Sequence, residues 1–239
     1  LSLRTRRTTN EEAYQIIRGM KKIVRLSVGS SHDLFGPNNT MKLLRPHFPT
    51  LTELDLGNNN IMTSAIAQEI LSSCSSLVQF RVSRIEAMDI VEGHPWVCLR
   101  IQYLSAGIHL APSTIKILQP LIFDQLSKLT RLRVLGVGHA SEINFQEAMD
   151  LRLKSGLGKL SSLRLLLCIS FTYTKQLMAG QDIDWMLEHW KDLVRIHGEL
   201  NTYNPDINSA LMHRLARYGI RVCPMAKQFR IDDHEFNLL

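Results

Sequence analysis

Apolar residues recur along this chain in a four-beat spacing: one position, a second three residues on, a third three further, and a fourth two beyond that. Six copies keep the spacing: Met20, Ile23, Leu26, Val28; Phe48, Leu51, Leu54, Leu56; Cys74, Leu77, Phe80, Val82; Cys98, Ile101, Leu104, Ala106; Leu129, Leu132, Leu135, Val137; and Leu163, Leu166, Ile169, Phe171. A weaker seventh reads Trp190, Leu193, Ile196, Gly198. Within each copy the last two positions alternate with other residues, which is the period of a strand with one buried face. The pattern predicts strands near 25–28, 53–56, 79–82, 103–106, 134–137, 168–171 and 195–197. The sixth copy also fits one step earlier along Leu163-Arg-Leu-Leu-Leu-Leu-Cys168. The later register is preferred because it buries Phe171 and turns Ser170 and Thr172 outward.

Between these strands the period lengthens to that of a helix. Ile61, Ala65, Ile66, Ile70 and Leu71 make one stripe. Ile115, Leu118, Leu121, Ile122 and Leu126 make another, started by Ser113 after Pro112. Ile183, Met186, Leu187 and Trp190 form a third, and Ile207, Leu211, Leu215 and Tyr218 a fourth. Strand then helix, repeated, predicts a parallel sheet covered by helices on one side.

The fullest copy, Leu51-Thr-Glu-Leu54-Asp-Leu56-Gly-Asn-Asn59-Asn-Ile61, is a complete L-x-x-L-x-L-x-x-N-x-L leucine-rich repeat. The fold class is therefore expected to be α/β. In detail it is a leucine-rich-repeat solenoid of right-handed strand–helix units, with a curved parallel sheet on the concave face and helices outside. The copies are uneven: Leu77 to Ile101 spans 24 residues and Leu132 to Leu166 spans 34. Only one copy has the asparagine in place, where Asn59 would bond backbone at the strand-to-loop bend. Residues 1–19 are expected to form an N-terminal helix and cap, with residues 11–20 beginning the stack. About seven irregular repeats fill 20–205, and 206–239 forms a C-terminal capping helix–strand and tail. The Leu211–Tyr218 helix should feed a strand at Ile220–Val222 after a turn at Gly219, with a polar tail loosely held beyond Pro224.

Composition narrows the setting. With 45% hydrophobic and 21% charged residues, the chain can build a core and stay in water. No apolar run approaches the roughly 20 residues that cross a bilayer, so no membrane is expected. The start, Leu1-Ser-Leu-Arg-Thr-Arg-Arg7, has no apolar core after its charges, and it lacks an initiator Met, so it reads as a fragment. Four dispersed cysteines, at 74, 98, 168 and 223, suit buried thiols in a reducing interior, cytoplasmic or nuclear. The net charge of +6 raises nucleic acid as a partner. Its charges are scattered and its aromatics do not interleave with them, so nucleic acid is disfavoured.

A search for chemistry finds little. Gly156-Leu-Gly158-Lys159 lacks both the first glycine of a phosphate loop and the hydroxyl residue after the lysine. It reads instead as a helix end. Gly136-Val-Gly138 lacks the third glycine of a dinucleotide turn. The nine histidines show no metal-ligand spacing, and no nucleophile elbow occurs. Asp182 and Asp184 fit capping and dipole roles at a helix start. No catalytic residue, cofactor or metal is expected.

What remains is surface. Residues between the apolar strand positions point away from the core. Arg25, Glu53, Asp55, Gln79, Arg81, Tyr103, Arg195 and His197 are the candidate protein contacts, with Tyr103 and Arg81 the leading anchors. Their mixed signs suit a protein surface better than a phosphate backbone. A third row of small residues, Gly29, Gly57, Ser83, Gly107, Gly138 and Thr172, lets the chain bend out of the sheet.

With these segments the chain resembles the ribonuclease-inhibitor-like leucine-rich-repeat region of F-box-type proteins, a group expanded in early-diverging filamentous fungi. Leu51–Asn60, His94-Pro-Trp96-Val-Cys98-Leu, Leu129-Thr-Arg-Leu-Arg-Val-Leu135, Leu160-Ser-Ser-Leu-Arg-Leu165 and Asp184-Trp-Met-Leu-Glu-His-Trp190 carry the resemblance, over roughly residues 20–223. It implies a substrate receptor of a cullin-type ubiquitin ligase, in which an F-box docks a Skp-family adaptor and the repeats hold the target. No F-box is visible in this sequence, so the adaptor is expected only if one lies upstream. The alternatives are a regulator of an enzyme, of the small-GTPase activator or nuclease-inhibitor type, and a recognition array without a ligase role. For an activator, Arg25 or Arg81 would be the exposed arginine.

Overall fold

A computed structural model of the chain describes residues 2–3, 10–28, 37–57, 63–138 and 148–224. Among them, nine strands form one open sheet: β1 (Ser2–Leu3), β2 (Arg25–Val28), β3 (Glu53–Leu56), β4 (Gln79–Glu86), β5 (Tyr103–His109), β6 (Val134–Gly136), β7 (Cys168–Ser170), β8 (Arg195–His197) and β9 (Arg221–Cys223). They lie in sequence order and every neighbouring pair is parallel. The seven segments expected from the apolar pattern all lie in this sheet. So does the C-terminal strand expected at Ile220–Val222, shifted by one residue, and β1 extends the sheet one strand earlier than expected.

The apolar pattern sets the register. Leu26, Leu54, Phe80, Leu104, Leu135, Ile169, Ile196 and Val222 stand opposite one another across eight strands. A slip of one residue would turn that whole row to the other face, which burial forbids. The ladder begins one residue before each of β3–β8 and at the first residue of β9. The amides of Thr52, Val78, Gln102, Arg133, Leu167, Val194 and Arg221 each donate to the carbonyl of the preceding unit, at 2.8–3.0 Å.

The helices between the strands are α1 (Asn10–Gly19), α2 (Pro37–Leu44), α3 (Ser64–Ser73), α4 (Ala87–Glu92), α5 (Ile115–Leu126), α6 (Gly180–His189) and α7 (Pro205–Ala216). Their apolar sides and the inward strand residues make one continuous core, which places the helices on a single side of the sheet. Leu54, Leu56, Leu104, Leu135 and Ile169 are buried in it as expected. Each such leucine or isoleucine removed from water stabilises the fold by about 1.5–3 kcal/mol. The later register of the sixth copy holds: Leu166, Ile169 and Phe171 are buried and Leu165 is exposed. Cys74 and Cys98 are free thiols in the core, as expected.

The helical stripes need correction at their margins. Ala65, Leu121, Ile207 and Tyr218 face solvent, while Ala67 and Phe123 take the inward places. The reason is the narrow stripe of a helix that touches only the sheet beneath and its two neighbours. α5 begins after Thr114 and not at Ser113, and it continues through Pro120. α2 and α4 lie in units where a helix was expected but no apolar stripe was named. Among the described residues between β6 and β7 the helical elements are two 3-10 segments, Leu153–Ser155 and Leu157–Ser162. Gly156 joins them at φ +108°, so this glycine does end a helical turn, as expected. Asn59 and Gly29, with the tail beyond Pro224, lie outside the described residues.

Buried polar side chains tie one unit to the next. Gln68 accepts from the Trp96 indole at 2.8 Å and donates to the His94 carbonyl at 2.7 Å. Gln119 donates to the carbonyls of Asp150 and Ser155 and accepts from the Asp150 amide. Gln176 does the same for Met149 and Leu151. Asp182 accepts from the amides of Ala179 and Leu153, both at 2.8 Å. It caps α6, as expected, and also holds the preceding connection. Asp184, at the same helix start, pairs instead with Arg214 of α7.

Candidate protein-binding face

The face of the sheet opposite the helices is built by the residues between the inward positions. Its first row runs Arg25, Glu53, Gln79, Tyr103, Val134, Cys168, Arg195 and Arg221, paired strand to strand. Its second runs Ser27, Asp55, Arg81, Ser105, Gly136, Ser170, His197 and Cys223. Parallel pairing repeats these side chains about every 4.8 Å across the strands. All eight candidate residues therefore stand on one face in two adjacent rows, although only part of that face is open.

At β2–β4 the rows are accessible. Arg25 is 72% exposed along its side chain and pairs with Glu53 at 3.0 Å. Asp55, 44% exposed, lies 3.9 Å from Arg81 and accepts from the Gly57 amide at 3.0 Å. Arg81 lies flat across Gly57; a Cβ on that glycine would sit 2.5 Å from the arginine Nε. Gly57 thus gives the guanidinium its place beside Asp55. Surface pairs of this kind contribute about 0–1 kcal/mol to stability, so their main effect is to orient charge.

Across β5–β7 the face closes, while Arg195 of β8 is half-buried and Arg221 of β9 exposed. Tyr103 is 6% exposed, Val134 1% and Cys168 7%, and the three form a small apolar cluster separate from the main core. Ser170 and His197 are buried beside them. Tyr103 and His197 were expected as contacts on this face; they stand on it but are buried, because the strand pattern fixes which face a side chain takes and not its exposure. Burial pushes the Tyr103 phenol up to about 12, against the lowering pull of the Arg81 charge and a hydrogen bond with Ser105.

The chain leaves the sheet at the small third row after β3 and β6, at Gly57 and Gly138, but not at Ser83 and Gly107, where β4 and β5 run on within it. At Gly138 a Cβ would lie 2.2 Å from the Thr172 carbonyl oxygen and 2.6 Å from its amide nitrogen. The chain leaves the sheet there against neighbouring backbone, and only glycine fits. Gly136 leaves room for Ser105 in the same way.

One polar cluster had no signal in the apolar pattern. β4 and β5 run on past the others, with a register shift between Val82 and Arg84. The extension brings Glu86 to Arg84 at 2.6 Å and to His109 Nδ1 at 2.6 Å, while the Glu86 amide donates to Ser64 at 2.7 Å. The bulge that re-aims these side chains is a local irregularity. The sign that could have pointed to it was the strand-like run Arg84-Ile-Glu86 beyond the fourth beat.

Among the described residues, no three His, Cys, Asp or Glu side chains converge as a metal cluster, and no helix is long and apolar enough to cross a membrane. Compared with known proteins, the chain matches no protein-family model and no curated protein.

Proposed function

We propose that the chain is a leucine-rich-repeat solenoid that recognises another protein through the sheet face opposite its helices. The observation that carries this reading is the register. It sets Arg25, Glu53, Asp55, Gln79 and Arg81 in two adjacent rows that the core does not use. Mixed charge at fixed spacing selects a partner by complementarity more than by raw affinity. Tyr103 and His197 belong to the same face but are buried, and half-buried Arg195 stands apart across them, so the first contacts are assigned to β2–β4. The particular role we propose is the substrate-recognition part of an F-box-type ubiquitin ligase receptor, working in the cytoplasm or nucleus without a cofactor.

The natural gene product, mixed with a purified Skp-family adaptor, tests that role. A stable complex whose bound target becomes ubiquitinated in a reconstituted ligase supports it. Failure to bind the adaptor removes the ligase role and leaves protein recognition to be tested on the face itself.

A further inference from the structure

The turns that lead into the sheet repeat as closely as its strands. Before β5, β6, β7 and β8 the chain makes a four-residue turn, closed by a hydrogen bond from the amide of the second apolar beat to the carbonyl of the first, at 2.9–3.2 Å. The residue that follows each turn donates its amide to the preceding unit. The turns are therefore stacked side by side along one edge of the sheet, about 4.8 Å apart.

Each turn exposes its two central residues, and one of the two is basic: Arg100, Arg131, Arg164 and Lys191. In sequence these cations stand 27 to 33 residues apart and look scattered. The stack gathers them on one strip, three strand steps or about 14 Å long. Elsewhere arginines lie against carboxylates, as in Arg45–Glu69, Arg84–Glu86 and Arg152–Asp150 at 2.5–2.7 Å. Among the described residues the four strip cations join no ion pair, and Lys191 donates to the Leu187 carbonyl at 3.0 Å. One acid, Asp192, shares the last turn, so four cations and one carboxylate leave the strip a net +3.

We propose that this strip docks an acidic protein segment in which carboxylates alternate with apolar side chains. The charge of the strip sets the sign of its ligand. The neighbours of the cations set its class. Leu99 and Leu165 in the turns, and Val194 just after the last of them, are each about half exposed. They offer apolar contact between the cations, which a segment of alternating character fills. Nucleic acid is matched less well, because bases stack on rings and the central residues of these turns include none. The strip is as long as about four extended residues, so the recognised core is short. It lies on the edge of β5–β8, apart from the β2–β4 contacts, and does not rest on the recognition role proposed for them.

The test uses a fluorescein-labelled peptide of alternating glutamate and leucine, about eight residues long, so that it overhangs the strip at both ends. It is titrated with the natural chain at about 0.1 M salt, where charges more than about 10 Å away are screened, and followed by fluorescence anisotropy. The peptide binds the natural chain, and Arg131→Ser/Arg164→Ser weakens it about tenfold or more. Serine suits these turns, since Ser75 and Ser76 fill the equivalent turn before β4. A peptide with glutamine for glutamate binds the natural chain about tenfold more weakly or worse, a comparison that needs no variant to fold. Leu99→Ser/Leu165→Ser also weakens binding, while Arg25→Ala/Arg81→Ala on the sheet face leaves it unchanged. The proposal is overturned if the acidic peptide does not bind, or if Arg131→Ser/Arg164→Ser binds it as the natural chain does. It is equally overturned if Arg25→Ala/Arg81→Ala loses as much, which makes the binding a matter of total charge. Tighter binding of a thymidine oligonucleotide of matched charge overturns it too, and makes the strip a phosphate site. The Arg25 and Arg81 variant keeps a failure here distinct from a failure of recognition by the sheet face.

Discussion

Leu54→Ala tests the link between the apolar pattern and the fold. Leu54 is 1% exposed and stands in register between Leu26 and Phe80, which are also buried. Truncation removes three carbons from a site walled by strands on both sides and helices beneath, so the space collapses only partly. The expected cost is about 2–5 kcal/mol, the sum of lost burial and a residual cavity. Glu53→Ala is the companion change, one residue along and on the other face. It removes an ion pair whose arginine is 72% exposed, and the expected cost is under about 1 kcal/mol. Guanidinium denaturation followed by circular dichroism measures both, with a shift in midpoint at constant slope reading stability alone. A loss below about 0.5 kcal/mol for Leu54→Ala, or a loss at Glu53 as large as at Leu54, would refute the assigned register.

Three further outcomes follow from particular contacts. Asp182→Ala leaves the Ala179 and Leu153 amides without their carboxylate and should destabilise by about 2 kcal/mol or more in the same assay. Gly138→Ala drives a methyl into Thr172 backbone and should lower the melting temperature clearly, whereas Gly19→Ala meets nothing within 4 Å and should hold or raise it. Burial raises Cys74 and Cys98 from 9.0, and Tyr103 from 10.0, to about 12. These groups stay neutral in the fold where the unfolded chain has already ionised. Their contribution is complete below about pH 9 and is lost as the pH climbs toward 12, so urea midpoints should fall steadily across that window.

The strands were legible because each copy repeats the same four apolar beats and a period of two admits only one buried face. Ile169 and Phe171 show how far that goes: the preference for burying Phe171 decided the sixth register correctly. The connections were less legible. α4 is six residues long, too short for a helical stripe to stand out, and the 3-10 segments around Gly156 have no stripe at all. Leu121, Ile207 and Tyr218 continue their stripes in sequence but overhang the core in space. On the candidate face, Gln79 and Tyr103 occupy equivalent beats, yet one is half-buried and the other closed over. The repeat pattern is the same at both positions and does not encode that difference. The glutamines at 68, 119 and 176 bond backbone of the neighbouring unit, and isolated glutamines give no periodic signal.

The central claim, that this face recognises a protein, is tested most directly by comparing two double variants in capture of partners from an extract of the source organism. Arg25→Ala/Arg81→Ala alters the open half of the face, and Ile117→Glu/Tyr218→Glu alters the helical side, where both residues are exposed. Both variants should unfold like the natural chain. The account predicts that a partner recovered with the natural chain is lost from the face variant and kept by the helix variant, with hydrogen exchange in the complex slowed in β2–β4. Retention by the face variant together with loss from the helix variant would contradict it.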